Sequence, residues 1–178
     1  MTTPHRDADK PAETVWEGRF IKAITQGQWE YVARARGIEA AVILALDSRD
    51  RVILVEQYRV PLGRRCLELP AGLVGDEEAG EPVAAAAARE LEEETGYRPA
   101  RVEELGFFHA SPGMVTEGFT LVRAWDVEKV SGGGGADDED IEVHLVPRHE
   151  IAAFVAAKRA AGVAIDVKML LLLADALL

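Results

Sequence analysis

Within the run Arg89-Glu90-Leu91-Glu92-Glu93-Glu94-Thr95-Gly96, carboxylates crowd into two helical turns of chain. If the run is helical, Glu90 and Glu94 are four apart and share a face, with Glu93 beside Glu90 at three apart. Like charges at that spacing repel, so the cluster is locally unfavourable unless something positive compensates. A hard divalent cation does so, and Mg2+ takes oxygen ligands of the kind carboxylates supply. Arg89, four before Glu93, is placed to hold that carboxylate in orientation. An isolated acidic triplet reads simply as a solvated face. The flanking residues must therefore decide.

The element that would carry these acids is the clearest in the chain. Alanine and glutamate, both good helix formers, fill Pro82 to Thr95. Pro82 suits a first helical turn and Gly96 a left-handed C-terminal cap. Around this helix the pattern is mostly β. Val15–Ile24 and Trp29–Ala35 read as strands joined by a hairpin at Gly27. Ala40–Leu46 and Arg51–Tyr58 are joined by a hairpin at Asp47-Ser48-Arg49-Asp50. Then follow the short run Cys66–Leu69, strands at Val102–His109 and Phe119–Val127 around a Ser111–Gly118 loop, and a strand at Ile141–Val146. The segment from Ser131 to Asp140 (SGGGGADDED) reads as flexible and acidic. Helices near Arg148–Ala161 and Val167–Leu178 close the chain. Residues 1–13 read as a loose tail, and 14–178 as one mixed α and β domain.

Composition narrows the function classes. The chain has 178 residues, enough to bury a sizeable core in one domain. Its formal net charge of −11 argues against nucleic-acid or anionic-membrane binding, since both need a positive surface. An anionic small molecule stays admissible where arginines or a divalent metal reverse the local field. The single cysteine, Cys66, cannot form an internal disulfide, and its apolar setting suggests a buried, inert thiol. The N-terminal residues lack the apolar core of a signal peptide, and Asp166, Lys168 and Asp175 interrupt the apolar C-terminal stretch. The expected location is the cytoplasm. His109 and His144 fall in strand-like runs and read as structural. Nothing points to a zinc site, a covalent intermediate or a P-loop.

From Gly75 to Tyr97 the segment GDEEAGEPVAAAAARELEEETGY resembles the Nudix box, G-x5-E-x7-R-E-U-x-E-E-x-G-U with U apolar. Gly75, Glu81, Arg89, Glu90, Leu91, Glu93, Glu94, Gly96 and Tyr97 satisfy its positions, with Tyr97 taken as the last apolar one. In members of the ADP-ribose pyrophosphatase type, the first glycine follows directly from a Pro-Ala-Gly turn, here Pro70-Ala71-Gly72. Counting from Gly72 leaves eight residues before Glu81 instead of five, which reads as a three-residue insertion. Alternatively, Gly75 itself plays that glycine's part. The same branch is resembled by Pro112, sixteen residues beyond Gly96, by Glu56-Gln57-Tyr58-Arg59 with Pro61, and by Trp29-Glu30 with Arg34.

The resemblance implies an α+β Nudix fold, a mixed β-sheet sandwiched between α-helices. It implies a metal site formed by the Ala71 backbone carbonyl with Glu90, Glu94 and Glu139, holding Mg2+ or Mn2+. The catalytic base it implies is Asp137, Glu139 or Glu93, with Arg89 in support. Substrate contacts would come from Trp29 stacking on a base, Arg34 and Arg59 on phosphate, and Pro112, Gly113 and Glu117 from the loop. The expected reaction is hydrolysis of a nucleoside diphosphate derivative, with ADP-ribose giving AMP and ribose 5-phosphate as the leading substrate. GDP-mannose or another nucleotide sugar is the alternative. A non-catalytic nucleotide-sensing module is a third reading, disfavoured because every box glutamate is present. The resemblance also implies a homodimer, with strands of about residues 14–36 contributing to the contact.

Overall fold

Along Glu39–Asp47, alternate residues enter two different cores. Val42, Leu44 and Leu46 join one apolar cluster, and Ala41, Ile43 and Ala45 join another. A strand buried on both faces must be covered on both faces, which is the pattern of a sheet between helices. The computed structural model, which describes residues 5–75, 80–135 and 140–173, has this architecture. It is an α+β fold with a mixed sheet flanked by helices, as expected.

Strands β1 (Ala12–Glu17), β2 (Ile21–Gln26) and β3 (Trp29–Arg34) form a small antiparallel sheet. The main sheet contains β4 (Glu39–Asp47), β5 (Arg51–Arg59), β6 (Arg64–Glu68) and β7 (Ala71–Val74). After helix α1 (Val83–Thr95) come β8 (Tyr97–Arg98), β9 (Arg101–His109), β10 (Gly118–Lys129) and β11 (Glu142–Pro147). Helix α2 (Ile151–Ala160), β12 (Ala164–Ile165) and a 3-10 segment, Val167–Leu173, follow. The sheet runs β12-β6-β5-β4-β10-β8, with β11 on β5, β7 on β4 and β9 on β10. The β4–β10 and β6–β12 pairs are parallel and the rest antiparallel. Helix α1 covers the face of Ile43 and Val122 with Ala87 and Leu91. Ile151 of α2, with Met169 and Leu172 of the 3-10 segment, covers the face of Val42, Leu54 and Leu121.

Several local expectations hold in detail. Gly96 is left-handed at φ +74° and its N–H donates to the Glu92 carbonyl, ending α1. Pro82 stands one residue before the helix, as its cap, and its carbonyl accepts from Ala85 and Ala86. Gly27 turns between β2 and β3 at φ +62°. Asp47 nucleates the β4–β5 hairpin by accepting the N–H groups of Arg49 and Arg51.

Others are corrected. Val15–Ile24 is not one strand: the chain reverses at 18–20, where the Gly18 N–H donates to the Ile21 carbonyl. Alternation continues through such a reversal, so periodicity does not reveal it. A side chain at Gly18 would collide with the Trp16 ring. The last apolar stretch is 3-10 and not α-helical over its described part, Val167–Leu173. Strands β7, β8 and β12, of two to four residues, are too short for a periodic signal.

An ion network ties α2 to the sheet. The Glu56 carboxylate, almost wholly buried on β5, accepts from Lys158 Nζ of α2 at 2.6 Å and from Arg65 Nε of β6 at 3.0 Å. His144 Nε2 of β11 lies 3.2 Å away. Burial pushes the Glu56 carboxyl up, but Lys158, Arg65 and His144 outweigh it and hold it below its ordinary value. A carboxyl lowered in this way contributes stability that is complete above its unfolded value and lost as pH falls through the folded one. Glu56→Gln leaves the Lys158 ammonium without its counter-charge and Arg65 with Asp140 alone. It is expected to cost about 3 kcal/mol, seen as a lower urea midpoint at pH 7. The loss should shrink on acidification below the ordinary glutamate value of 4.5.

Candidate active site

Helix α1 lies against β7, and the contact is made where β7 has least bulk. A β-carbon at Gly72 would overlap the Glu90 carboxyl group, so only glycine lets that carboxylate reach the strand. One turn later, Glu94 Oε2 accepts the backbone N–H of Ala71 at 3.1 Å. The two acids read from the sequence as same-face neighbours are therefore brought together at Ala71-Gly72, with Glu94 buried. Gly75, at φ +80°, is a turn residue beyond the strand. Gly72 has the contact with the acidic helix.

Arg89 organises the remainder of the motif. Its guanidinium donates to both oxygens of Glu81 at 3.4 Å, to Glu90 at 3.0 Å and to Glu93 at 3.2 Å. It also donates to the Leu73 carbonyl on β7. One cation thus spans the loop before α1, the helix and the strand, which accounts for the spacing of Glu81, Arg89, Glu90 and Glu93. Burial pushes the Glu90 carboxyl up, Arg89 opposes this, and Glu93 adds to it. A half-desolvated carboxylate beside a second acid is a group that a hard cation stabilises. Glu90 and Glu94, in a cradle kept open by Gly72, fit the metal that the motif implies. Glu93 is half-exposed and faces a neighbouring hollow lined by Arg89, Ser131 and Gly133.

The acids open onto a cleft of about 510 Å³ whose walls include Arg34, Arg59, Glu68, Ala71, Glu117 and Lys168. Arg59 is held in a two-point pair with Glu68, Nε to Oε1 at 2.7 Å and Nη2 to Oε2 at 2.8 Å. Arg34 is paired with Glu117, so two residues anticipated separately as substrate contacts hold each other. Lys168 Nζ sits 2.7 Å from Asp166. Glu68 and Lys168 were not anticipated. Glu68 is in register with Val55 on β5, four positions before Arg59, whose own strand partner is Arg64, and no single-strand pattern reveals the Arg59–Glu68 pair. Lys168 depends on the path of the 3-10 segment.

Trp29, half-exposed on β3, lines a second cleft of about 350 Å³ together with Tyr31, Asp7, Pro112 and Gly113. The anticipated Trp29, Pro112 and Gly113 therefore share one cleft, while Arg34, Arg59 and Glu117 share the other. The 111–117 loop links them: Val32 of β3 donates its N–H to Met114 and accepts from Thr116, with Glu117 next in chain.

The glycine-rich segment before the acidic run is bonded to α1. Gly134 and Gly135 donate to the carbonyls of Glu94 and Glu93 at 2.8 and 3.0 Å, satisfying the helix end. Asp137 and Glu139 lie outside the described residues. The following residue, Asp140, is paired with Arg65 at 2.6 Å.

Elsewhere, Glu56, Glu142 and His144 bring one ligand atom each within 4.8 Å of one another, a cluster able to coordinate a divalent metal. None of the three lines the cleft of Glu90 and Glu94, and the Lys158 ammonium, bonded to Glu56 and 3.3 Å from His144, already supplies positive charge there. Cys66 is buried, and burial with the nearby Glu68 pushes its thiol up to about 12, in keeping with an inert thiol. Among the described residues no helix is long and apolar enough to cross a membrane.

Residues 36–168 match the family model described as the NUDIX domain. The chain is 32% identical over 154 residues to a methanol dehydrogenase activator of Bacillus methanolicus, covering 83% of this chain and 82% of that one. It is 37% identical to a GDP-mannose pyrophosphatase of Cronobacter sakazakii, covering 78% and 72%. Over 92 residues it is 41% identical to the ADP-ribose pyrophosphatase of Bacillus subtilis, covering 52% and 46%. Among solved structures, that of an ADP compounds hydrolase superposes with a TM-score of 0.69 at 24% identity, covering 92% of this chain and 89% of that one. This last likeness speaks for the fold.

Gly72→Ala is expected to leave the fold intact, because the far end of the Glu90 side chain can swing away. Turnover should nevertheless fall about a hundredfold, since displacing a reacting-centre group by about 1 Å costs that much. Thermal unfolding and steady-state rates on one preparation separate the two effects.

Proposed function

The chain belongs to the Nudix family, and from that membership and its cleft we propose a magnesium-dependent ADP-ribose pyrophosphatase, releasing AMP and ribose 5-phosphate. The general class is hydrolysis of a phosphoanhydride bond in a nucleoside-diphosphate-linked small molecule. The observation that carries the proposal is the meeting of Glu90 and Glu94 with Ala71-Gly72 in a cleft that also holds Arg34 and Arg59.

Charge explains why a cation is needed there. The cleft walls carry four carboxylates (Glu68, Glu90, Glu94 and Glu117) against three cations (Arg34, Arg59 and Lys168). A diphosphate approaching the bare protein meets a net negative wall. Glu90 and Glu94, with the Ala71 carbonyl and Glu139, would hold Mg2+, for which Mn2+ is a substitute. The ion supplies charge neutralisation at the diphosphate and a lowered pKa for bound water.

The protein's own residues do the remaining work. Arg34 and Arg59 each present guanidinium N–H groups beyond those used by Glu117 and Glu68, and these suit phosphate oxygens. The opposing carboxylates fix the guanidinium planes before substrate arrives, which limits reorganisation on binding. Asp137, Glu139 or Glu93 would accept the proton of the attacking water, a role that requires hydrogen-bond reach. Trp29, with Pro112 and Gly113, offers a flat apolar face for a base, a contact that tolerates any purine. For this reason GDP-mannose stays the second substrate, favoured by the longer match to a GDP-mannose pyrophosphatase. A homodimer through the 14–36 strands is part of the same reading. Val15, Trp16, Phe20 and Ile21 are exposed there, an apolar surface that suits a partner.

The test is a panel of ADP-ribose, GDP-mannose, other nucleotide sugars and a nucleoside triphosphate, with Mg2+ and with chelator. ADP-ribose should give AMP fastest, and chelation should abolish the reaction. Preference for another diphosphate would refute the substrate and keep the chemistry. Tight binding without turnover would favour a sensor. Glu94→Gln should stay folded and lose at least about a hundredfold in kcat, and full activity would refute the metal site.

A further inference from the structure

We propose that Asp7 reads the base of the substrate, its carboxylate accepting a hydrogen bond from the amino group of adenine in the cleft of Trp29. The proposal rests on the base position proposed above, and it gives the segment before β1 a part in specificity.

Before β1 the chain folds back onto the β2–β3 hairpin. Ala8 and Lys10 donate their N–H groups to the carbonyls of His5 and Asp7 at 2.8 and 3.1 Å, forming turns. Gln26 Nε2 of β2 donates to the carbonyls of Ala8 and Lys10 at 3.2 and 2.9 Å. Tyr31 of β3 in turn donates its hydroxyl to Gln26 Oε1 at 3.0 Å. The hairpin glycine makes room for this segment, since a β-carbon at Gly27 would lie 2.5 Å from the Asp7 carboxyl carbon. Seated there, the Asp7 side chain is only 8% exposed and lines the cleft with Trp29, Tyr31, Pro112 and Gly113.

The carboxylate has an acceptor to spare. Its Oδ2 is buried, and among the described residues no donor bonds to it. His5 Nδ1 and Arg6 Nε stand 3.8 and 4.0 Å away, beyond hydrogen-bond reach. His5 Nδ1 also accepts the Asp7 N–H at 3.2 Å, so it has no proton to give, and the Arg6 guanidinium bonds to Gln28. A buried acceptor without a donor is costly, and at the wall of a cleft it is an acceptor kept for a ligand. The His5 ring, more than half exposed, meets Trp29 edge-on with centroids 5.8 Å apart. An entering base can take that place between the indole and the carboxylate. A carboxylate accepts and does not donate, so the edge it recognises must present N–H, as adenine does with its 6-amino group. Stacking on Trp29 takes any flat base; the hydrogen bond adds the choice.

The test compares AMP with purine riboside 5′-monophosphate, which lacks only that amino group, each titrated into the full chain with Mg2+. Native protein is expected to bind AMP about tenfold more tightly, a result that needs no variant. Asp7→Ala should erase the preference by weakening AMP alone. Asp7→Asn, which keeps the shape and a neutral acceptor, should retain part of it. Between ADP-ribose and its counterpart without the amino group, the same ratio should appear in KM, with kcat changed by less than about threefold. Equal affinities in native protein, binding of neither nucleotide, or a preference that survives Asp7→Ala would each overturn the assignment. So would equal weakening of both ligands, which is what a residue that only anchors the segment would give. If the preference depends on Asp7 while no nucleotide derivative is hydrolysed, the assignment stands and the reaction proposed above fails.

Discussion

Two carboxylates one helical turn apart, pressed against a strand, set the terms for the rest of this structure. Glu90 and Glu94 repel each other and are partly or wholly withdrawn from water, which penalises their charged forms. The fold tolerates this because the strand opposite has no side chain at Gly72 and offers an N–H at Ala71. Arg89 adds a guanidinium that reaches Glu81, Glu90 and Glu93 together. Removing either the glycine or the arginine leaves the acids without a place. The helix must then be held at one height above the sheet, and the packing of Ala87 and Leu91 on Ile43 and Val122 does that. The second helical layer covers the opposite face and adds Lys168 to the cleft wall.

Charge in the cleft is arranged in pairs. Arg34 with Glu117, Arg59 with Glu68, and Lys168 with Asp166 each set a basic group against an acid from a different part of the chain or turn. Such pairs contribute little as surface salt bridges. Their effect is on geometry, since a guanidinium or ammonium already held by an acid has less freedom to lose when an anion arrives. The same arrangement keeps the cleft from being strongly basic, in line with a chain of net charge −11.

Much of this was legible from the residues alone. The helix limits, the Gly96 cap, the Asp47 hairpin and the shared face of Glu90 and Glu94 follow from local stereochemistry, and all are present. The likeness of Gly75–Tyr97 to a known box led to the fold. What escaped the sequence depends on register between distant strands. Glu68 meets Arg59 only because β5 and β6 pair as they do, and Lys168 reaches the cleft only because β12 docks on β6. The reversal at Gly18 was hidden because alternation on both sides of it has the same appearance. The division of the anticipated substrate contacts between two clefts likewise has no local signature.

The link between β3 and the 111–117 loop separates two duties. Val32 is bonded to Met114 and Thr116, while the acids of α1 stand on the other side of Glu117. In the proposed reading, the surface that meets the base belongs to the small N-terminal sheet and one loop, whereas the diphosphate cleft is walled mainly by the main sheet and α1 and takes Arg34 and Glu117 from that sheet and loop. A lineage can therefore drift in what it grips without disturbing how it cuts. The end of β3 that carries Trp29 is where the grip can be altered, while the end that carries Arg34 is tied to the cutting edge.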